Sequence, residues 1–286
     1  MSAVATIDQA VAQIVNVQAP ASPAVPSLPA DLQTLRSIAA IWPSAVRPQV
    51  VGQGAACSSQ AATYAGTTGP QLEAAATAKD TTQFVALLKA TQSVVVALQG
   101  QGAAVTNAVG SFRSGLAGAA ATVTADAQTA ASALQGEQAE ITALQQEIEA
   151  LQDKIEEDRK WEQLGWLLGP LGAVIAREIG DLADDVEGKQ GQIQTDSAQV
   201  ATLSADVGAL NGITVALQAL VPANGAVLAG LTALSNGLAV VGGELASVLQ
   251  AVGSAGSVDP VWAAAELQRL AGDWADVGSA AAALSA

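Results

Sequence analysis

The sequence predicts an all-α protein, an elongated antiparallel bundle of about five or six helices, two of them long and meeting through a short apolar hairpin. Three observations carry that expectation. Alanine, the strongest helix former, supplies 65 of the 286 residues, whereas aromatics make up 3% and charged residues 13%. Such a mixture suits helices packed closely through small side chains and is poor material for a pleated β surface. Only three prolines, Pro170, Pro222 and Pro260, follow residue 71, and apolar residues recur at alternating three- and four-residue spacing over long stretches.

Residues 1–30 read as an N-terminal arm, partly extended. Ala3 to Gln18 could form a short helix, but Pro20, Pro23, Pro26 and Pro29 follow at three-residue spacing, which favours a polyproline-like strand. Residues 31–286 read as a single elongated helical-bundle domain. Asp31 is placed as an N-cap ahead of Leu32, Leu35 and Ile38. Trp42-Pro43 and Arg47-Pro48 punctuate the start of the next stretch, and Gly66 to Pro70 closes it. Then come three seams. Phe84, Leu88, Val95, Leu98, Val105, Val109, Phe112 and Leu116 share the first, with Thr91 and Gly102 in its gaps. Ile141, Leu144, Ile148, Leu151 and Ile155 share the second, flanked by Glu and Gln as in a coiled coil. The third joins Ile179, Leu182, Val186, Ile193, Val200, Leu203, Val207, Leu210, Leu217 and Val221, a rod of roughly 60 Å. Pro222 with Asn224-Gly225 is expected to mark a turn. Asp259-Pro260 opens the last helix, with Trp262, Leu267, Leu270, Trp274 and Val277 at helical spacing. Glycines within the seams, Gly102, Gly110, Gly115, Gly208 and Gly230 among them, are expected to allow close helix packing, or to soften helices that must rearrange.

The charge balance excludes several functions. A net charge of −15 leaves no electrostatic footprint for nucleic acid or for adsorption to anionic lipid. Any membrane contact would have to be hydrophobic. There is no histidine, so the commonest general base and zinc ligand are missing together. The lone Cys57 rules out an internal disulfide and reads as a small buried residue. Gly52-Gln53-Gly54 lacks the third glycine of a dinucleotide loop, and Gly188-Lys189 lacks the setting of a phosphate loop. The runs Asp184-Asp185 and Glu156-Glu157-Asp158 read as solvated charges. No catalytic residue, cofactor or metal is therefore expected. The N-terminus lacks the positive region of a secretory leader, so the protein is cytosolic, leaves the cell without a cleaved leader, or is given in trimmed form.

Between the second and third seams lies an apolar hairpin. Leu164 to Ala176 holds thirteen uncharged residues interrupted by Gly165, Gly169, Pro170 and Gly172, with charges on both flanks. Thirteen residues are too few to cross a hydrocarbon core of about 30 Å as one helix. Folded against other helices, this tip is a buried turn with Trp161 and Trp166 as core residues. Released onto lipid, its tryptophans suit the interface and its Leu, Val and Ile the acyl region.

This order of features resembles a known family. Ile41-Trp42, a region ending at Tyr64 and Leu72, and Asp80 followed by Phe84, Leu87 and Leu88 set an N-terminal pattern. A Gln/Glu-rich helix, the Gly-Pro-Leu-Gly hairpin, a second long helix and a terminal Trp262/Trp274 helix complete it. Together they are similar to the α-helical pore-forming toxins of the haemolysin BL and non-haemolytic enterotoxin type, within the cytolysin A superfamily. The resemblance implies a non-enzymatic toxin, or one component of a multi-part toxin, whose soluble form becomes a membrane-bound oligomer by releasing an apolar tongue. It places the head and tongue at about 156–182, with Trp161, Leu164, Trp166, Leu167, Leu168, Gly169, Pro170, Leu171, Val174 and Ile175 as membrane-inserting residues. Implied partners are a target-cell lipid membrane, further copies of the chain and sibling toxin components. The implied location is secreted, first soluble and then membrane-associated. The tongue is short for the family, which suits a component that anchors or supports a more lytic partner. A soluble coiled-coil scaffold is the alternative reading.

Overall fold

The computed structural model describes residues 2–17, 24–162 and 170–285, with side chains described outside 155–180 and 285. Every regular element among them is helical, as the composition predicts. The helices are α1 (Ala3–Asn16), α2 (Leu28–Ala39), α3 (Arg47–Thr63), α4 (Gly69–Thr77), α5 (Thr81–Glu162), α6 (Pro170–Ala255) and α7 (Pro260–Ser285). The chain divides into two compact units. Unit 1 comprises Met1–Asn16, Gln33–Ala120 and Ile213–Ala286, and unit 2 comprises Val17–Leu32 and Ala121–Gly212.

Unit 1 is built on the first seam. Phe84, Leu88, Thr91, Val95, Leu98, Val105, Val109, Phe112 and Leu116 are all buried, so this period reads true over nine positions. Two devices start these helices where the sequence places them. Asp80 Oδ1 accepts from the Gln83 amide at 2.9 Å, and Asp259 Oδ1 from the Trp262 amide at 2.9 Å, each satisfying a free donor of a first turn. Leu267, Leu270, Trp274 and Val277 of α7 are buried, with Trp274 stacked on Tyr64 at 5.9 Å between ring centroids. Helix α7 lies close on α6, where a Cβ on Gly237 would meet Val277 Cγ2 at 2.9 Å. Helix α1 buries Val4, Ile7, Val11 and Ile14, each side chain contributing roughly 1.5–3 kcal/mol. Asp8 fixes its register: Oδ1 accepts from Trp42 Nε1 at 2.7 Å and Oδ2 from Arg47 Nε at 2.8 Å.

Four local expectations are corrected. Helix α2 begins at Leu28, so Asp31 lies in its first turn rather than at its cap; Ser27 O accepts from the amides of Ala30 and Asp31 instead. Pro29 suits the first turn, where its missing N–H costs nothing. The prolines at 43, 48 and 70 do not end helices. Wider π turns at Trp42–Val46 and Tyr64–Thr68 carry the chain through, closed by Arg47 N–H to Trp42 O and by Gly69 N–H to Tyr64 O, each just ahead of a proline. A π turn accommodates the lost donor and the ring that would crowd a regular helix. Pro222 likewise lies inside α6, because it faces solvent and the carbonyl it leaves unpaired is open to water. Finally, the third seam changes flank. Leu203 and Leu210 are buried as expected, but their partners are Asp206, Ile213 and Leu220; Val207 is half-buried and Val221 is 62% exposed. A helix of 3.6 residues per turn drifts relative to a 3.5-residue repeat, and the buried stripe drifts with it.

Most helical glycines lack a packing reason. A Cβ at Gly110 or Gly208 would meet nothing within 4 Å, whereas at Gly102, Gly115 and Gly230 it would touch Gln53, Ile38 and Leu284.

Candidate functional site

The candidate site lies where α5 ends at Glu162 and α6 begins at Pro170. Trp161 falls in the last turn of α5, and Pro170, Leu171, Val174 and Ile175 fall in the first two turns of α6. Proline at the first helical position is where its missing N–H is harmless. Leu164, Trp166, Leu167, Leu168 and Gly169 lie outside the described residues, as does the expectation that Trp166 sits in a core.

Unit 2 supports this segment with an antiparallel pair formed by the adjoining parts of α5 and α6. Lys189 Nζ donates to Glu147 Oε2, and Gln192 Nε2 to Glu140 Oε1 at 3.2 Å. The Glu147 contact holds the Lys189 ammonium above its ordinary pKa. Leu144, Ile148 and Leu203 are buried in the seam, while Ile141, Leu151, Leu182, Val186, Ile193 and Val200 are half-buried. Two helices can cover only one face of each other, so this pair is held by less apolar burial per turn than α5 in unit 1. Elsewhere in unit 2, the Ser27 hydroxyl donates to Asp126 Oδ1 at 3.1 Å. Burial raises the Asp126 pKa, Ser27 opposes that rise, and the carboxylate of Asp31 adds to it.

Asp184 and Asp185 are exposed, and among the described residues no three His, Cys, Asp or Glu side chains gather as a metal site would require. Cys57 is buried, with its thiol pKa raised by that burial against a hydrogen bond from Gln53.

Sequence reasoning focused on the tongue passed over two other segments. Within Thr81–Lys154 and Asp181–Ala255, 18-residue windows reach mean hydropathies of 1.3 and 1.6, and only 28% of each window is buried. Both helices are long and apolar enough, by length and composition, to cross a membrane. The signal was present as runs without charge, at 90–112 and 213–243.

The fold defines the class. The chain is similar to the SmhB pore of the tripartite α-pore-forming toxin Smh from Serratia marcescens, with a TM-score of 0.74 at 13% identity over 99% of this chain and 98% of that one. It is similar to XaxA from Xenorhabdus nematophila, with a TM-score of 0.68 at 14% identity over 99% and 94%. It is also similar to the Bacillus cereus HblL1 toxin component, with a TM-score of 0.59 at 15% identity over 99% and 93%. This is the all-helical fold of the α-pore-forming toxins. The model of the Bacillus haemolytic enterotoxin (HBL) family matches residues 7–158, more than half of the chain, and the chain belongs to that family. No curated relative matches by sequence. The family match does not favour the scaffold alternative.

Proposed function

We propose that this chain is one component of a multi-part pore-forming toxin, secreted in soluble form, that binds a target-cell membrane through residues 161–175 and assembles there with further copies and sibling components. The observation that carries this reading is an uncharged run of thirteen residues, Leu164 to Ala176, that follows the end of α5 at Glu162 and continues into the first two turns of α6 in a family member. The structural relatives support the multi-part aspect: Smh is described as tripartite, and a XaxAB pore complex is known from Xenorhabdus nematophila. The chemistry is physical rather than enzymatic. Burying apolar side chains in lipid yields about 25 cal/mol for each Å² removed from water, and tryptophan anchors at the interface. With a net charge of −15 the chain is repelled by anionic headgroups, so zwitterionic membranes are the preferred surface.

Replacing Leu168 and Leu171 together by Asp tests the role of the tongue. The double variant keeps the wild-type far-ultraviolet spectrum and no longer floats with phosphatidylcholine liposomes. Flotation unchanged by the double substitution would remove these residues from the membrane contact.

A further inference from the structure

Unit 2 holds a buried carboxyl that the pore-forming reading does not use. Asp126 of α5 is 8% exposed, and its buried Oδ2 receives no hydrogen bond among the described residues. The segment that leads into α2 packs against it. Ser27 donates its hydroxyl to Asp126 Oδ1 at 3.1 Å across 99 positions of sequence. The Asp31 amide donates to Ser27 O at 3.1 Å, which sets Ser27 and Asp31 one helical turn apart on a single face. The Asp31 carboxyl therefore stands beside Asp126, within hydrogen-bonding reach of it. Val25, Leu28 and Leu32 are buried along the same segment, so residues 24–32 form an apolar strap with a polar contact at its centre.

Two ionised carboxylates only accept, so they cannot bond to each other; one proton between them supplies the missing donor. The surroundings of Asp126 favour that proton. Burial raises its pKa, the Ser27 hydroxyl opposes the rise, and the Asp31 carboxylate adds to it. Along α5, Asp126 is the only charged residue between Arg113 and Glu137, and along α6 Asp206 is the only one between Asp196 and Glu244. Continuing the Lys189–Glu147 register places Asp206 opposite Ala130, one turn from Asp126. Asp206 is wholly buried and engaged by partners of its own, and it brings a carboxyl rather than a cation to this level. On α2 the next charge is Arg36, which belongs to unit 1.

We propose that Ser27, Asp31 and Asp126 form a proton-operated clasp that governs how firmly the strap is held on α5. With a proton on Asp126 Oδ2, the acid donates to the Asp31 carboxylate while Oδ1 keeps the Ser27 hydroxyl, and the strap is closed. When the proton leaves to solvent, two carboxylates face each other in a buried setting and the strap opens more often. Closure is fullest near pH 4, the ordinary carboxylate range, and weakens as the pH rises through the raised value towards neutral. Resting on the pore-forming reading, the clasp is a regulator of it: acid keeps unit 2 in its soluble arrangement, and neutral pH readies it for the membrane.

Hydrogen exchange of the full-length chain, followed by mass spectrometry on peptides covering 24–32 and corrected for the intrinsic pH dependence of exchange, tests the clasp. Wild-type protection is expected to fall roughly tenfold between pH 5 and pH 7.5, the worth of one hydrogen bond to a charged group. Asp126→Asn keeps both contacts without the proton, because its amide donates to Asp31 and accepts from Ser27. It should hold the acid level of protection at pH 7.5, and Asp31→Asn should do the same from the other side. Ser27→Ala lowers protection at both pH values and leaves their ratio unchanged. Strap protection that does not vary with pH in the wild type, or that is lower in Asp126→Asn than in the wild type at pH 7.5, would refute the clasp. So would protection at pH 7.5 that rises with calcium chloride and falls with a chelator, because a cation would then join the carboxyls in place of the proton. Flotation with phosphatidylcholine liposomes at pH 7.5 tests the regulation. Asp126→Asn should associate severalfold more slowly than the wild type, and equal rates would remove the clasp from control of the membrane step. A wild-type chain that does not float at all overturns the membrane reading, while the exchange measurement still decides the clasp.

Discussion

Replacing Gly237 by alanine measures how closely α7 is held against α6. In an open helix the change stabilises by about 0.8–1 kcal/mol, because alanine loses less backbone freedom than glycine. At Gly237, however, the new Cβ would sit 2.9 Å from Val277 Cγ2. Val277 is fully buried and β-branched, so it has essentially one rotamer in a helix and cannot swing aside. Overpacking of that kind costs about 1–3 kcal/mol, leaving Gly237→Ala neutral to about 2 kcal/mol less stable. Gly243→Ala is the control. It lies in the same helix, meets nothing within 4 Å, and should keep the whole gain of about 1 kcal/mol. Gly230→Ala should fall between them, because the atom it meets is the tip of the flexible Leu284 side chain. Urea denaturation followed by circular dichroism at 222 nm reads the order directly. If Gly237→Ala proved as stable as Gly243→Ala, the packing of α7 on α6 and the account of unit 1 built on it would be wrong.

Three further outcomes are expected. Asp8→Ala leaves the buried Trp42 N–H without an acceptor and frees Arg47, destabilising the docking of α1 by about 1–3 kcal/mol; faster proteolysis near the N-terminus would report it. Because the folded pKa of Asp126 is raised above its unfolded value, the folded chain takes up its proton more readily. Unit 2 therefore gains stability as the pH falls from neutral through that raised value towards about 4, and loses it as the pH rises; Asp126→Asn should flatten this dependence in a urea series. The buried Cys57 thiol, its pKa raised, should resist alkylation at pH 8 in the soluble protein and react on denaturation, so mass spectrometry of the labelled protein distinguishes closed from opened unit 1.

How much could be read from the sequence depended on how sharply each position separates apolar from polar. The first seam could be followed because its period holds over nine positions, all of them buried, with polar Gln92, Gln99 and Gln101 on its flanks; Val94 and Val96, apolar neighbours of Val95, are the exposed ones. The third seam misled where both flanks offer an apolar choice. Leu220 and Val221 are equally plausible neighbours, and Val207 looks a better core residue than Asp206, which is nonetheless the buried one. Only the burial of Ile213 over Thr214 agrees with simple hydrophobicity. Pro222 was read as a break because proline followed closely by Asn224-Gly225 is a turn signature, whereas at its exposed position within α6 the proline is tolerated. The proposed tongue rests on composition alone, where charge brackets an uncharged run, and Leu164, Trp166, Leu167, Leu168 and Gly169 lie outside the described residues. The meeting of Ser27 and Asp31 with Asp126 could not be foreseen: Ser27 and Asp126 are 99 positions apart, and the contact depends on which way the first turn of α2 faces.

Dye release from phosphatidylcholine liposomes tests the central claim most directly. The purified chain should bind the liposomes through its tongue, and should release dye when its sibling components are added; Leu168→Asp/Leu171→Asp should abolish both. A chain that neither floats with the liposomes nor contributes to leakage in the presence of its siblings would contradict the assignment of the apolar segment between α5 and α6 as the membrane-active site.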